Sequence, residues 1–311
     1  MSDRGRGFAT VSVDVDPVDL HLVGYGHKDL PADDLVYRAA LPRLAEVFAR
    51  CGVRATFFVV GRDAPAIAPM LRGLAAAGHE IASHTLTHPM PFVRVARSQI
   101  HKEVGESKRL LEEASGSEVI GFRAPNWDMS TRAVMPLAKA GYRYVASGFP
   151  TPLQIPARML LAWKARTPRT LWRMRPWPFT LRRHPYRWEA EGHTIHEFPI
   201  SVTPWLRFPI YHTSRYMISA RAFGGHLDGF VRRGENFYYA LHAVDALGQS
   251  EDRVNPSLAR HPGMEHPLAY KLDLLATSLT AIAERFASST YRVQLQPAPA
   301  AASGAPSAAR I

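Results

Sequence analysis

The chain has 311 residues, 46% hydrophobic and 21% charged, the balance of a globular domain, which excludes a mainly disordered chain. Its single cysteine excludes a disulfide framework and any cysteine-based zinc finger. With 38 Lys and Arg against 27 Asp and Glu, the net charge is +11, which favours anionic partners and is silent about fold.

No stretch approaches the run of about 18 apolar residues that a membrane span needs. Residues Met1 to Thr10 lack an apolar run of the kind a secretory signal carries, so a cytoplasmic chain is expected.

Short apolar runs alternate with amphipathic ones. Phe8 to Val15 reads as a strand, Leu35 to Cys51 as a helix, and Val53 to Val60 as a second strand. Ala64 to Ala77 reads as a helix stopped by Gly78, and Glu80 to Ser83 as a short strand. Val95 to Ser115 is the clearest helix, with Ile100, Val104 and Leu111 on one face. Strands Val119–Phe122 and Tyr142–Ala146 flank a helix Ala133–Ala140. Further on come strand Thr194–Ile200, helix Ala220–Arg232, strand Asn236–His242, helix Leu268–Phe286 and a last strand Tyr291–Leu295.

Such alternation implies a parallel sheet covered on both faces, and the count suits a barrel of seven or eight strands. A single domain over 1–296 is expected, with an insertion at 151–192 and a disordered Ala/Pro/Ser/Gly tail at 297–311.

The insertion is strongly biased. Ala157 to Trp188 holds nine basic residues and no acid, with Trp163, Trp172, Trp177 and Trp188 interleaved. This composition suits an anionic membrane interface or a nucleic acid, and its blander reading is a solvated basic loop. We take Trp172, Arg173, Arg175, Trp177 and Arg182 as candidate membrane or phosphate contacts, and expect no nucleic-acid partner.

Four strand-end segments carry chemistry. Asp14-Val15-Asp16 closes the first strand, and residues two apart in a strand point the same way. His84 and His88, four apart, can share a metal if they stand on a helical turn. Arg123 follows a strand within Gly121-Phe122-Arg123-Ala124-Pro125-Asn126-Trp127 and can orient a carboxylate. His242 ends a late strand. In a barrel all four point to one mouth.

These segments, in this order, resemble the polysaccharide deacetylase superfamily (NodB-homology, carbohydrate esterase 4). Ala55-Thr56-Phe57-Phe58-Val59-Val60-Gly61 and Ala77-Gly78-His79-Glu80 support the resemblance, which runs from about Phe8 to Arg292. It implies a distorted (β/α)7 barrel and a divalent metal, Zn²⁺ foremost, with Co²⁺, Ni²⁺ and Fe²⁺ compatible. The activity it implies is hydrolysis of an N-acetyl or N-formyl amino sugar, polymeric or lipid-linked; the other reading is a non-catalytic binder on the same barrel.

By resemblance, Asp16, His84 and His88 are the metal ligands, Asp14 the base, Arg123 its tether and His242 the acid. Asn126 and Trp127 are the candidate oxyanion and substrate contacts. The family's usual Asp-Asp-Gly is Asp-Val-Asp here, a spacing similar to a branch with peptidoglycan deacetylase-like proteins and a lipid-linked aminoarabinose deformylase. The roles of Asp14 and Asp16 could be exchanged. A Tyr-Asp-Ser-Ser carboxylate often found in the family is replaced by Tyr144-Val145-Ala146-Ser147, leaving Asp245 or Asp128 to serve His242.

Overall fold

The structure is a computed structural model and describes residues 6–27, 30–153 and 182–295. Trp172, Arg173, Arg175 and Trp177 lie outside the described residues, as does the tail 297–311; Arg182 is described and exposed.

The strands are β1 (Phe8–Val15), β2 (Ala55–Val59), β3 (Glu80–Ser83), β4 (Gly121–Phe122), β5 (Tyr144–Val145), β6 (Tyr186–Ala190), β7 (His193–Glu197), β8 (Phe237–His242) and β9 (Ala287–Ser288). They form one sheet in the order β6-β7-β5-β4-β3-β2-β1-β8, with β9 pairing the start of β1. Every neighbour on that path is parallel except the β6–β7 hairpin. Seven strands therefore run parallel from β7 to β8. The sheet curls until its ends meet: Ser201, just beyond β7, donates its N–H to Tyr238 O on β8 at 3.1 Å. This is the distorted seven-stranded barrel that the alternation and the resemblance imply.

The central strands show no period-two pattern, because both faces are covered. All of β2 is buried, as is β1 after Phe8. Outside lie helices α1 (Val18–Gly24), α2 (Leu41–Arg50), α3 (Ala68–Ala76), α4 (Arg97–Ser115) and α5 (Val134–Lys139). Further along are α6 (His212–Arg215), α7 (Ala220–Arg232), α8 (Leu268–Ala283) and α9 (Tyr291–Gln294).

The expected apolar faces are the buried ones: Leu41, Leu44, Val47 and Phe48 on α2, and Ile100, Val104 and Leu111 on α4. Gly116 ends α4 at φ 69°, a left-handed position that suits glycine. The single helix predicted over 35–51 begins with a π turn at Val36–Ala40, where Leu41 N–H bonds Val36 O. Pro42 has no N–H to bond back one turn, so the ladder slips to the wider spacing just before it.

The predicted strand Tyr291–Leu295 is instead the one-turn helix α9. Its aromatic and β-branched residues read as strand, but burial of the Tyr291 ring inside the barrel wins over strand pairing. Tyr291 plugs the barrel interior, stacked on Tyr238 (5.8 Å, 13°) and against Phe198 (5.2 Å), within a cluster that includes Phe58 and Tyr144. Truncating so large a buried ring leaves a cavity. Tyr291→Ala should lower stability by about 3–5 kcal/mol in denaturant unfolding, and a loss under about 1 kcal/mol would remove the plug from the account.

Candidate active site

The C-terminal ends of the strands open into a cavity of ≈ 440 Å³. Asp14, Asp16, His84, His88, Asn126, Trp127 and His242 all line it, and all seven come from the four strand-end segments. Arg123 lies directly beneath.

Asp16 follows β1. Its Oδ1 stands 3.2 Å from His84 Nε2 and 3.6 Å from His88 Nε2, and the three ligand atoms lie within 4.8 Å of one another. His84 Nδ1 is 2.8 Å from the carbonyl oxygen of Arg123. That carbonyl can only accept, so Nδ1 carries a proton, and Nε2 is the ring nitrogen turned toward Asp16.

Burial pushes Asp16 up, but His84 and His88 outweigh it and hold the carboxyl well below its ordinary value. Burial also pushes His84 down, yet the Asp16 charge leaves it above its ordinary value. Burial dominates at His88 and holds it near 4, neutral and fit to ligate. Two imidazole nitrogens and one carboxylate oxygen converging on one point fit a divalent cation of borderline softness.

The two histidines are not on a helical turn. Residues 84–88 form a loop in which Thr85 (φ 69°) and His88 (φ 58°) are left-handed. The loop is held from α4. Buried Glu103 accepts the N–H groups of Leu86 and Thr87 (both 2.9 Å) and the Thr87 hydroxyl (2.6 Å), and Ser107 Oγ donates to Thr85 O at 3.0 Å. Sequence reasoning missed Glu103; its only signal was an acid on the apolar side of α4.

Asp14 closes β1 and pairs through Oδ1 with Arg123 Nη1. Arg123 is only 1% exposed, so it is no surface ion pair. Its Nη2 donates to Ser12 Oγ (2.9 Å) and its Nε to Ala146 O (2.6 Å), and its guanidinium lies 4.1 Å over Phe58 and 4.3 Å over Trp127. Asp14 Oδ2 faces His242 Nε2 at 3.9 Å. Asp14 thus stands among Arg123 and His242, while Asp16 stands among His84, His88 and His21.

Asp245 reaches His242 through the backbone: its Oδ2 accepts the His242 N–H at 3.0 Å, and its Oδ1 lies 3.8 Å from His261 Nε2. Burial would raise Asp245, but His261, His212 and His242 hold it well below the usual carboxylate range. The other neighbours of the His242 ring are imidazoles, His21 at 5.3 Å and His261 at 5.9 Å between centroids. His21 Nε2 lies 3.8 Å from Asp16 Oδ2. Neither His21 nor His261 was foreseen; both arrive on segments outside the strand ends. Asp128 is buried beyond the turn that carries Asn126 and Trp127, both left-handed at φ 56° and 59°. A wall of rings, Trp127–Phe149–Tyr211, runs along the cavity at spacings of 5.4 and 5.5 Å.

Beneath this wall Glu197, at the end of β7, accepts N–H groups from Ser147 (2.8 Å), Gly148 (2.9 Å) and the Trp188 indole (2.8 Å). Burial outweighs these bonds and pushes its carboxyl from 4.5 up to about 7. A folded value above the unfolded one means that this group's contribution is fully present below the unfolded value. It is lost as pH rises through about 7. Wild-type stability should therefore drop by up to about 3 kcal/mol from this group between about pH 5 and about pH 8. Glu197→Gln should flatten the denaturation profile over that window; an unchanged slope would contradict the assignment.

Residues 30–145 match the polysaccharide deacetylase family. Over 137 residues the chain is 28% identical to a peptidoglycan deacetylase of Helicobacter pylori, covering 42% of this chain and 46% of that protein. Over 101 residues it is 35% identical to a chitooligosaccharide deacetylase of Sinorhizobium fredii, covering 32% and 46%. The matched part thus spans about half the length of these relatives. In fold, the solved Puue allantoinase aligns with TM-score 0.57 over 93% of this chain and 90% of its own, at 14% identity.

Proposed function

We propose that this chain, whose residues 30–145 match the polysaccharide deacetylase family, is a metal-dependent amide hydrolase that removes an acetyl or formyl group from an amino sugar. The observation that carries the proposal is the Asp16–His84–His88 cluster beside the Asp14–Arg123 pair, with His242 across the same cavity.

Asp16, His84 and His88 would hold the cation, Zn²⁺ foremost, with Co²⁺, Ni²⁺ or Fe²⁺ compatible with the same donors. When bound, it supplies Lewis-acid polarisation of the carbonyl and a water of lowered pKa. Asp14 takes the proton from the attacking water, with Arg123 fixing the carboxylate's orientation. His242 delivers a proton to the departing nitrogen, because an amide anion is a poor leaving group. The C–N bond breaks, a C–O bond forms, and a carboxylic acid and an amine leave. Asn126 lines the same cavity and would contact the developing oxyanion, and Trp127, Phe149 and Tyr211 would offer ring faces to a sugar.

The finer substrate in this proposal is a lipid-linked N-acyl amino sugar met at the cytoplasmic face of an anionic membrane. Its support is the acid-free Arg/Trp composition of 157–188 and the net charge of +11. No helix among the described residues is long and apolar enough to cross a membrane, so contact in this reading is peripheral. The test is amine release from water-soluble N-acetyl and N-formyl amino sugars by protein supplied with Zn²⁺ or Co²⁺. Release that stops on chelation and returns with metal supports the proposal; no release from any of them contradicts it.

A further inference from the structure

Among the described residues, the three most exposed large apolar side chains are Trp205 (94%), Leu206 (79%) and Met217 (77%). All fall in one stretch of chain, and that stretch borders the cavity, which Phe208, Pro209, Tyr211 and Met217 line. Trp205 and Leu206 occupy the tip of a small hairpin. Its base is an antiparallel bridge between Val202 and Pro209. Thr203 N–H bonds Phe208 O at 2.9 Å, and Phe208 N–H bonds Thr203 Oγ1 at 3.0 Å. The tip is therefore fixed by polar bonds at its base while its apolar side chains face water, an arrangement that hydration disfavours unless something covers them. Beside Met217, Tyr216 stacks on His266 (5.4 Å), and His266 packs on half-exposed Tyr270 (4.6 Å).

We propose that this rim is a membrane-docking surface: Trp205 and Leu206 enter the headgroup–acyl boundary of an anionic bilayer and hold the cavity mouth against it. Trp and Tyr beside Leu and Met are the side chains such a boundary takes. A sugar polymer would call for flat rings with polar partners, and Leu206 and Met217 provide neither. The chain's charge of +11 complements anionic headgroups. Arg207 follows Leu206, and exposed Arg260 directly precedes the cavity-lining His261; exposed Glu265 is an acid close by in the chain. The nature of what then enters the cavity rests on the hydrolase reading; the docking itself does not.

The test is co-sedimentation of the full chain with phosphatidylcholine–phosphatidylglycerol vesicles, wild type beside a double variant carrying Trp205→Ser and Leu206→Ser. Hydrolysis of a water-soluble N-acetyl amino sugar is followed in parallel. Partition should fall on the order of tenfold or more in the double variant and be largely kept by Trp205→Phe, with soluble hydrolysis unchanged. A wild type that does not sediment, or a double variant that sediments equally, overturns the proposal. Retained sedimentation with a raised KM for sugar oligomers also overturns it, making the rim a sugar platform. If sedimentation is lost in the variant while wild type hydrolyses no amide, the docking surface stands and the hydrolase reading falls.

Discussion

Asp14→Asn should lower turnover by about 10²–10⁴-fold while leaving bound metal unchanged, the range for losing a general base. Asparagine keeps the shape of the side chain and an oxygen for Arg123, so the buried guanidinium stays paired. It cannot take a proton from water. Metal retention follows from the division of labour between the two carboxylates: His84 and His88 face Asp16, and Asp14 faces Arg123 and His242. The paired variant Asp16→Asn should do the reverse and shed the metal first. Full turnover in Asp14→Asn would sink its assignment as the base; metal lost there and kept in Asp16→Asn would mean that the two roles are exchanged.

The second large effect is on stability. Arg123→Met should cost about 3–5 kcal/mol, because removing one partner of a buried ion pair leaves the other charge buried and uncompensated. Arg123 is bound on every side, by Asp14, Ser12 Oγ and Ala146 O, with Phe58 and Trp127 flanking its plane. Arg123→Lys should recover little of this loss, since an ammonium cannot reproduce three directed contacts and a stacked plane. The combination of Arg123→Met with Asp14→Asn should be less destabilised than Arg123→Met alone, because the stranded carboxylate is gone. Additive losses in that cycle would show that Arg123 acts by packing alone.

The strand-end residues were legible in the sequence for a physical reason. In a parallel barrel every strand delivers its last side chains to one mouth, so Asp14, Asp16, Arg123 and His242 could be placed without knowing any loop. His84 and His88 were paired correctly on mistaken geometry. Their convergence comes from two left-handed residues and from Glu103 on α4, and a helical turn plays no part. His21 and His261 were not legible, since α1 and the segment before α8 bring them in through tertiary packing alone. Nor was the fate of Tyr291, whose local pattern reads as strand until the meeting of Ser201 and Tyr238 is known. Local sequence registers which residues want burial; which surface receives them depends on closure of the sheet.

The central claim is that Asp16, His84 and His88 hold one catalytic divalent cation. Its most direct test is the metal content of purified protein beside His84→Ala, after incubation of both with Zn²⁺ or Co²⁺ and removal of excess. The account predicts about one metal per wild-type chain, lost in the variant, as three protein ligands with open positions imply. No metal on the wild type, or equal metal on both, would contradict it.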